Sequence, residues 1–487
     1  MIRPKLDEAR QLSVGHTLIP IYTELYSDIK TPVDLLRVLK SRGEETYILE
    51  SAPGGEQWGR YTFLGYSPLL EIVGNNGAVE IRQNGSTELK HGGQTALKEL
   101  LKSYSSPRID YMPPFTGGFV GYFSYEYFRR VEPTLNLTEN DSVGFDDFRL
   151  MLFDKVLAYD NFRQKLFLIV NIRTDRLEEN YISGAATLKD MEALFLATSP
   201  ELMQRHSHLN FQPDFTKEKF CEGVQKAKKH IYEGDIFQCV PSVRFCSEYG
   251  DDLLPAYRVL RTTNPSAYMF YLKFRDLQLA GASPETLISL KNGVVSTYPL
   301  AGTCKRLPLE SDTDALIEKL LKDEKELAEH DMLVDLGRND IGKVCKFGSV
   351  KVEEYRSIKK LSHVCHIASR VAGILKEGYS ALDVLDAAIP AGTLSGAPKK
   401  RACEIIDEIE GSKRGVYGGA VGYIDFAGNM DFCIGIRMAL LKDRKVYVQA
   451  GAGIVYDSVP EREYEECLSK AEAMMNALRT ADGEERL

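Results

Sequence analysis

Residues 265–290, PSAYMFYLKFRDLQLAGASPETLISL, form successive β-rich apolar runs separated only by short polar or glycine-containing breaks. Aromatic and aliphatic runs of this length are typical of strands, and such short connections join strands that are neighbours along the chain. Glycine-bounded runs of the same kind continue as far as YGGAVGYIDF, residues 417–426. Evenly spaced strand–helix–strand units do not dominate, so the sequence predicts an α+β fold in which large mixed or antiparallel sheets pack together and are flanked by helices.

The chain has 487 residues, which is enough for two or three domains or for one large, elaborated domain. Residues 1–205 alternate short β-rich runs with helical stretches and are predicted to form an N-terminal α+β region. The polar, weakly periodic residues 200–216 are the predicted linker. A helix with apolar residues at helical spacing follows and stops at Gly234, and residues 215–480 are predicted to form the second, catalytic region.

Composition and charge exclude several classes of partner. The formal net charge is -9 and basic residues are interspersed with acidic ones, unlike the one-sided basic patch of a nucleic-acid-binding protein. No run approaches the roughly 18 apolar residues of a membrane span, and the N-terminus lacks the apolar core of a signal peptide. Nine cysteines without CxxC pairs indicate a reducing compartment. The sequence therefore predicts a cytoplasmic protein that binds neither nucleic acid nor membrane.

Two pairs of glutamates lie at helical spacing, Glu326 with Glu329 and Glu463 with Glu466. Residues i and i+3 share one helix face, so each pair can present two carboxylates to one cavity. Oxygen-only sites of this kind suit Mg²⁺. Solvated acidic helix faces are also common, and spacing alone leaves both interpretations open.

Three glycine-rich turns are candidates for anion binding: residues 391–400, 417–422 and 450–455. Glycine lets backbone N–H groups approach an anion closely, and the first turn runs into a helix N-terminus. None of the three matches the P-loop or dinucleotide-binding pattern, and ordinary hairpin turns are the alternative.

Two segments are candidates for acid–base chemistry. His363 and His366 lie at i and i+3 without further ligands at zinc-site spacing, which leaves an acid–base role or a satisfied core histidine. Glu285 follows a Ser-Pro turn and precedes an apolar strand. Its carboxyl either enters a desolvated cavity, where its pKa would rise into the general-acid range, or faces water.

Taken in chain order, these segments resemble the chorismate-utilising enzyme family, and the whole chain is similar to the anthranilate-forming large subunits within it. The resemblance is carried by DIFQCVPS, NPSAYMFY, ASPETLI, PLAGT, EHDMLVDLGRNDIGKV, SHVCHIAS, AGTLSGAPK, GGAVGY, CIGIRMAL and AGAGIVYDSVPEREYEE, followed by Lys470. Near the N-terminus, YILESAPGGEQWGRYTFLG agrees as well.

The resemblance implies a role for each candidate group. The catalytic residues would be the general acid Glu285 together with Gln238, His366 and Thr393. The carboxylates of chorismate would be bound by Tyr417, Arg437, Gly451, Ala452, Gly453 and Lys470. Mg²⁺ would be held directly by Glu329 and Glu466, and through water by Glu326 and Glu463.

Gln238 bears on which nucleophile is added. In the family members that add water to chorismate, a lysine stands at this position and deprotonates the water, whereas ammonia carries its own lone pair and needs no base. The resemblance therefore implies that chorismate and ammonia become anthranilate and pyruvate, the first step of tryptophan biosynthesis. Aminodeoxychorismate synthase of folate biosynthesis is the alternative; many of those enzymes carry a lysine in a PIKGT motif, where this chain has Ala301 in PLAGT.

The resemblance also implies partners. No segment resembles a glutaminase nucleophile, so ammonia would come from a separate glutamine amidotransferase subunit in a hetero-oligomer. Tryptophan would act as a feedback inhibitor at a site formed by the LES and NPSxYM motifs: Glu50, Ser51, Asn264, Pro265, Ser266, Tyr268 and Met269. Ala267, where a second proline is common, and Cys304 in GTCKRLP depart from the family pattern.

Overall fold

The computed structural model describes residues 1–43, 45–51, 59–200, 209–250, 252–307, 310–360 and 364–483. Its α-helices are α1 Leu6–Leu12, α2 Pro32–Lys40, α3 Gln94–Lys102, α4 Phe128–Val131, α5 Leu177–Leu196, α6 Lys217–Glu233, α7 Leu254–Thr263, α8 Glu310–Leu320, α9 Glu324–Gly342, α10 Ala381–Ala388, α11 Lys399–Glu410 and α12 Pro460–Ala481. Short 3₁₀ helices cover Tyr125–Tyr127 and Gly392–Leu394.

The strands of the N-terminal half are β1 Leu18–Tyr26, β2 Thr46–Glu50, β3 Tyr61–Tyr66, β4 Leu70–Asn75, β5 Ala78–Gln83, β6 Ser86–His91, β7 Gly118–Phe123, β8 Phe148–Phe153, β9 Lys155–Asp160, β10 Lys165–Arg173, β11 Gln212–Pro213, β12 Gln238–Cys239 and β13 Ser242–Glu248. The remaining strands are β14 Tyr268–Lys273, β15 Leu277–Ser283, β16 Thr286–Lys291, β17 Val294–Thr297, β18 Leu300–Lys305, β19 Lys351–Lys360, β20 Val364–Ile374, β21 Gly396–Ala397, β22 Ala420–Asp425, β23 Met430–Ile434, β24 Met438–Lys442 and β25 Lys445–Gly451.

Two large sheets organise these strands. The first has the order β1-β10-β9-β3-β2-β14-β15-β24-β25-β13-β11, and the second has the order β18-β20-β17-β16-β23-β22-β7-β8-β4-β5-β6, with β19 also paired to β20. Strands β12 and β21 form a separate small ladder. Neighbouring strands run antiparallel, as in the central pairs β14–β15 and β22–β23. The predicted α+β class is confirmed. The sequence left mixed and antiparallel sheets open, and the sheets are antiparallel.

The sheets pack face to face through an apolar core to which both contribute, including Tyr47 and Phe270 from the first sheet and Tyr122 and Phe153 from the second. The outer face of the first sheet is covered by α2, α5, α6, α7, α11 and α12. The outer face of the second is covered by α3, α9 and α10. Most strands of the two sheets therefore bury both faces, which explains why their sequences are almost continuously apolar. Strands β6 and β19 are largely exposed.

Strands from the two predicted regions share both sheets. Strand β2 pairs with β14 in the first sheet, and β7 pairs with β22 in the second. The predicted linker falls partly on residues 201–208, which lie outside the described residues, and the domain boundary stays a prediction. The helix expected after it is α6, where the Thr216 hydroxyl accepts from the Lys219 N–H and Gly234 ends the helix at a φ of 84°.

The stretch at residues 265–290 crosses between the sheets. Strands β14 and β15 pair in the first sheet, whereas β16 pairs with β23 in the second. Pro284 stands at the crossing and has no N–H to continue the ladder. A second crossing, from β23 to β24, lies beside the first, because the Ile434 N–H donates to the Glu285 carbonyl at 3.0 Å and the Ala282 N–H to the Arg437 carbonyl at 3.0 Å. The two crossings thus place Glu285 and Arg437 next to one another.

None of the helices within the described ranges combines the length and the apolarity that a membrane crossing requires. The cytoplasmic location stays a prediction.

Candidate active site

One cavity, of about 560 Å³, collects most of the predicted residues. Its lining includes Gln238, Glu285, Ala301, Glu326, Glu329, Thr393, Tyr417, Arg437, Gly451, Gly453, Glu463, Glu466 and Lys470. These residues come from both sheet crossings, from β12, β18 and the end of β25, from the 3₁₀ turn Gly392–Leu394, from the loop before β22, and from α9 and α12. Segments separated by more than two hundred residues therefore meet at one place.

The Glu285 carboxyl borders this cavity, and the residue is half-buried. Thr393 donates its hydroxyl to Glu285 Oε1 at 3.1 Å. Burial raises the pKa of Glu285 to about 7, although the Thr393 hydrogen bond and the charge of Lys470 act in the opposite direction. Of the two interpretations left open by the sequence, the raised pKa and the position beside the cavity favour the desolvated carboxyl, which suits a general acid near neutral pH.

Another part of the cavity lining carries groups that can bind anions. Arg437 adopts a left-handed φ of 52°, and its guanidinium donates to the Lys470 carbonyl at 3.2 Å. The Lys470 ammonium contacts Glu466 at 2.6 Å and the Gly451 carbonyl at 3.0 Å. Burial lowers the pKa of Arg437 and raises that of Tyr417. Two cations beside a tyrosine hydroxyl make this wall suited to a substrate with two carboxylates.

Gln238 reaches the cavity because β12 pairs with β21, which follows the 3₁₀ turn that holds Thr393. The residue is 7% exposed, and its amide lies against Gly453, where an added Cβ would be 2.7 Å from Gln238 Nε2. A glycine is also required at position 396, because an added Cβ would lie 2.0 Å from the Gln238 carbonyl oxygen. Gln238 thus presents its side-chain amide to the cavity.

The four predicted metal-site glutamates face one another from α9 and α12. Burial raises the pKa of Glu329, and the negative charges of Glu326 and Glu466 add to the rise. Burial and the Glu466 charge likewise raise the pKa of Glu463. An oxygen-only donor set with such mutual repulsion fits a hard divalent cation. In this structure the carboxylate oxygens of the four glutamates do not lie close enough together to form a metal-binding cluster. Within the described part of the chain, the cluster whose ligand atoms all lie within 4.8 Å of one another consists of His230, Glu233 and Asp235.

Two predicted residues lie behind the wall of the cavity. His366 is half-buried, its Nδ1 lies 3.3 Å from the carbonyl of the lining residue Gly302, and burial lowers its pKa. Ala452 is fully buried and its N–H donates to the Pro241 carbonyl at 3.1 Å. His363 lies outside the described residues.

The predicted feedback residues divide between the two faces of β14. Met269 pairs with Glu50 across β14 and β2, and the Glu50 carboxylate accepts from Tyr257 and Arg261. Tyr268 points to the opposite face, where its hydroxyl donates to Asp431 at 2.8 Å. Asn264, at the C-terminal end of α7, and the next residues Pro265 and Ser266 lead into β14.

Ser51 follows Glu50 directly, and its hydroxyl is buried without a hydrogen-bond partner among the described residues.

Some residues of the site were not predicted. Lys325 and Ser458 line the cavity beside the predicted glutamates Glu326 and Glu463. Arg414 lies beneath the cavity, fully enclosed by protein. Lys325 directly precedes Glu326, which is a signal in the sequence, whereas Arg414 becomes evident only from its long-range contacts.

A family model for chorismate binding enzymes matches residues 45–476. The chain belongs to this family. It is 44% identical to anthranilate synthase component 1 of Acetivibrio thermocellus, over 99% of each chain. It is also 44% identical to anthranilate synthase component 1 of Aquifex aeolicus, over 98% of each.

A solved structure of anthranilate synthase component I from Streptococcus pneumoniae superposes with a TM-score of 0.76 at 36% identity, covering 92% of this chain and 98% of that one. The menaquinone-specific isochorismate synthase of Escherichia coli superposes with a TM-score of 0.72 at 18% identity, over 97% and 98% of the two chains, and so shares the fold. The predicted membership of the chorismate-utilising enzymes is confirmed.

The buried Glu285 carboxyl predicts a pH-dependent stability cost. Its pKa is about 7 in the folded chain against an ordinary 4.5, so the folded state binds more protons between these values and the free energy of unfolding falls as pH rises through them. Glu285→Gln removes this cost. The variant should be more stable than the parent by up to about 3 kcal/mol at pH 8, with little difference near pH 4.

Denaturant unfolding of both proteins across this pH range measures the effect. Glu461→Gln, a change at an exposed position of α12, is the control. Parallel pH–stability curves for the parent and Glu285→Gln would contradict a desolvated carboxyl.

Proposed function

We propose that the chain is the large subunit of an anthranilate synthase, which converts chorismate and ammonia to anthranilate and pyruvate. The observation that carries the proposal is the neutral Gln238 amide in one cavity with the Glu285 acid. An amide can hydrogen-bond ammonia without acting as a base, whereas water addition needs a base at this position. The near-full-length identity to proteins named anthranilate synthase component 1 supports the same function.

The reaction proceeds in two steps. Ammonia attacks C2 of chorismate, the double bonds shift, and the C4 hydroxyl takes the proton of Glu285 and leaves as water. The amino intermediate then loses its C2 proton, and the bond from the ring to the enolpyruvyl oxygen breaks, so that the ring becomes aromatic and pyruvate is released. His366, whose pKa is lowered by burial, is neutral near pH 7 and is the candidate residue that assists this second step from its place behind Gly302.

The remaining lining groups bind and orient the substrate. Arg437 and Lys470 pair with its carboxylates, and Tyr417 and the Gly451 and Gly453 backbone lie beside them. When Mg²⁺ is bound, it neutralises the ring carboxylate; Glu329 and Glu466 would hold it directly, and Glu326 and Glu463 through water. Glu466 pairs with the Lys470 ammonium at 2.6 Å, so the proposed metal ligand and the proposed carboxylate-binding group are in direct contact.

The aminodeoxychorismate synthase alternative is tested by the product. The purified chain should form fluorescent anthranilate and an equal amount of pyruvate from chorismate, Mg²⁺ and an ammonium salt. Glutamine should replace ammonium only when a glutamine amidotransferase subunit is added, because the chain shows no glutaminase segment of its own. A stable amino-chorismate without pyruvate would assign the chain to the alternative, and isochorismate or salicylate as main product would overturn amine addition.

The metal proposal predicts a change in Mg²⁺ requirement. Glu329→Gln should raise the Mg²⁺ concentration for half-maximal rate by about 10–100-fold, because a carboxylate ligand is lost. Mg²⁺ should also raise the melting temperature of the parent and not that of the variant. Glu461→Gln, on the exposed side of the helix that carries Glu466, is the matched control. An unchanged Mg²⁺ dependence in Glu329→Gln would refute the site.

Tryptophan inhibition is proposed for the region around Glu50. Its carboxylate suits the ligand's ammonium, and the Ser51 hydroxyl, which has no hydrogen-bond partner among the described residues, offers a second polar contact. Glu50→Gln should raise the tryptophan concentration for half-inhibition by about 10-fold or more, since a hydrogen bond to a charged group is lost. Exposed Glu88→Gln is the control, and equal inhibition of all three proteins would contradict the assignment.

A further inference from the structure

Arg414 is a buried cation beneath the active-site cavity, and its side chain is 2% exposed. Its guanidinium forms an ion pair with Glu410, to which Nε donates at 2.8 Å. Its Cζ lies over two tyrosine rings, 4.6 Å from the ring centre of Tyr125 and 5.5 Å from that of Tyr417. The position is therefore determined on every side by contacts with other residues.

The remaining donors of Arg414 go to two backbone carbonyls from different segments. Nη1 donates to the Leu394 carbonyl at 2.7 Å, and Nη2 donates to the Val240 carbonyl at 2.6 Å. Leu394 follows Thr393, which donates to Glu285, and Val240 lies two residues after Gln238. One guanidinium thus holds together the strand that carries the amide and the turn that carries the threonine.

Glu410 binds the guanidinium of Arg414, and Glu126 binds the backbone of Arg414. Glu410 also accepts from the Ser242 N–H and hydroxyl, both at 2.8 Å, and so ties the start of β13 to the same group. The Glu126 carboxylate accepts the Arg414 N–H at 2.7 Å and the Gly415 N–H at 3.0 Å. Arg414 therefore cannot shift without breaking contacts at its backbone and at its side chain.

Only arginine can make this set of contacts. The planar guanidinium donates to two carbonyls and one carboxylate, and it also lies over the ring of Tyr417 in the cavity wall. A lysine would keep the charge but has neither the fork of donors nor the flat face. Replacement by lysine therefore separates the geometry of Arg414 from its charge.

We propose, on the basis of the proposed anthranilate synthase function, that Arg414 is a positioning residue that sets Gln238, Thr393 and Tyr417 relative to one another. It touches neither substrate nor reacting atoms, and acts through the Val240 and Leu394 carbonyls and the Tyr417 ring. A displacement of about 1 Å in such groups costs about 10²-fold in rate.

The test compares Arg414→Lys with a matched variant, Arg149→Lys. Arg149 is also 2% exposed, pairs with Glu71 at 2.6 Å and with Asp276, and packs on the Phe274 ring at 5.1 Å. These partners do not line the cavity. Both variants should lose stability, measured by melting temperature. Only Arg414→Lys should lose about 10²-fold in kcat for anthranilate formation at saturating ammonium and chorismate.

A double-mutant cycle with Thr393→Ala asks whether Arg414 acts through Thr393. If it does, the double variant loses little more in kcat than the larger of the single losses, because both changes disable the same group. Losses that multiply would overturn the proposal, and so would equal kcat values for Arg414→Lys and Arg149→Lys.

If Arg414→Lys does not fold, Glu410→Gln and its counterpart Glu71→Gln provide the same comparison, since each keeps an acceptor and removes the charge. A specific kcat loss in Glu410→Gln supports the proposal, and its absence overturns it. Failure of the proposed function is seen separately, because the parent chain would then form no anthranilate.

Discussion

Two backbone hydrogen bonds between neighbouring sheet crossings hold the active site together. The Ile434 N–H donates to the Glu285 carbonyl and the Ala282 N–H to the Arg437 carbonyl, so the chain passes from one sheet to the other twice at one place. Strands cannot keep their ladders through such a crossing, which leaves side chains there free to face the gap between the sheets. The acid and the guanidinium are therefore positioned by the packing of two large sheets and not by a flexible loop.

The cavity contains ionisable side chains whose charged forms are disfavoured by burial. Burial raises the pKa of Glu285 and lowers that of Arg437, so each charged form is disfavoured where it stands. The pKa of Glu329 is raised by burial and by the neighbouring glutamates, so its charged form is disfavoured as well. The proposed binding of a dianion and a divalent cation requires complementary charge in the cavity before either arrives, and holding that charge lowers the stability of the free protein.

Local sequence patterns were enough to predict individual helices and strands, whereas their arrangement in space could be seen only in the structure. Thr216 and Gly234 delimit α6 by local capping, and the glutamate pairs at i and i+3 share a helix face, so both features were visible in the sequence. The opposite directions of Tyr268 and Met269 follow from the two-residue period of a strand, but which face meets Glu50 depends on pairing with β2. The position of His366 behind Gly302 likewise depends on the register of β18 and β20.

The buried pair of Arg414 and Glu410 is the clearest case of a contact that stability alone does not explain. Withdrawing two charges from water costs several kcal/mol per ion, and apolar residues of similar volume often stabilise a core as well or better. Apolar side chains, however, cannot bind the carbonyls of Val240 and Leu394, which would remain buried without these donors. The ion pair therefore stands where irregular backbone from distant segments must be held in one arrangement, and that arrangement is the floor of the active site.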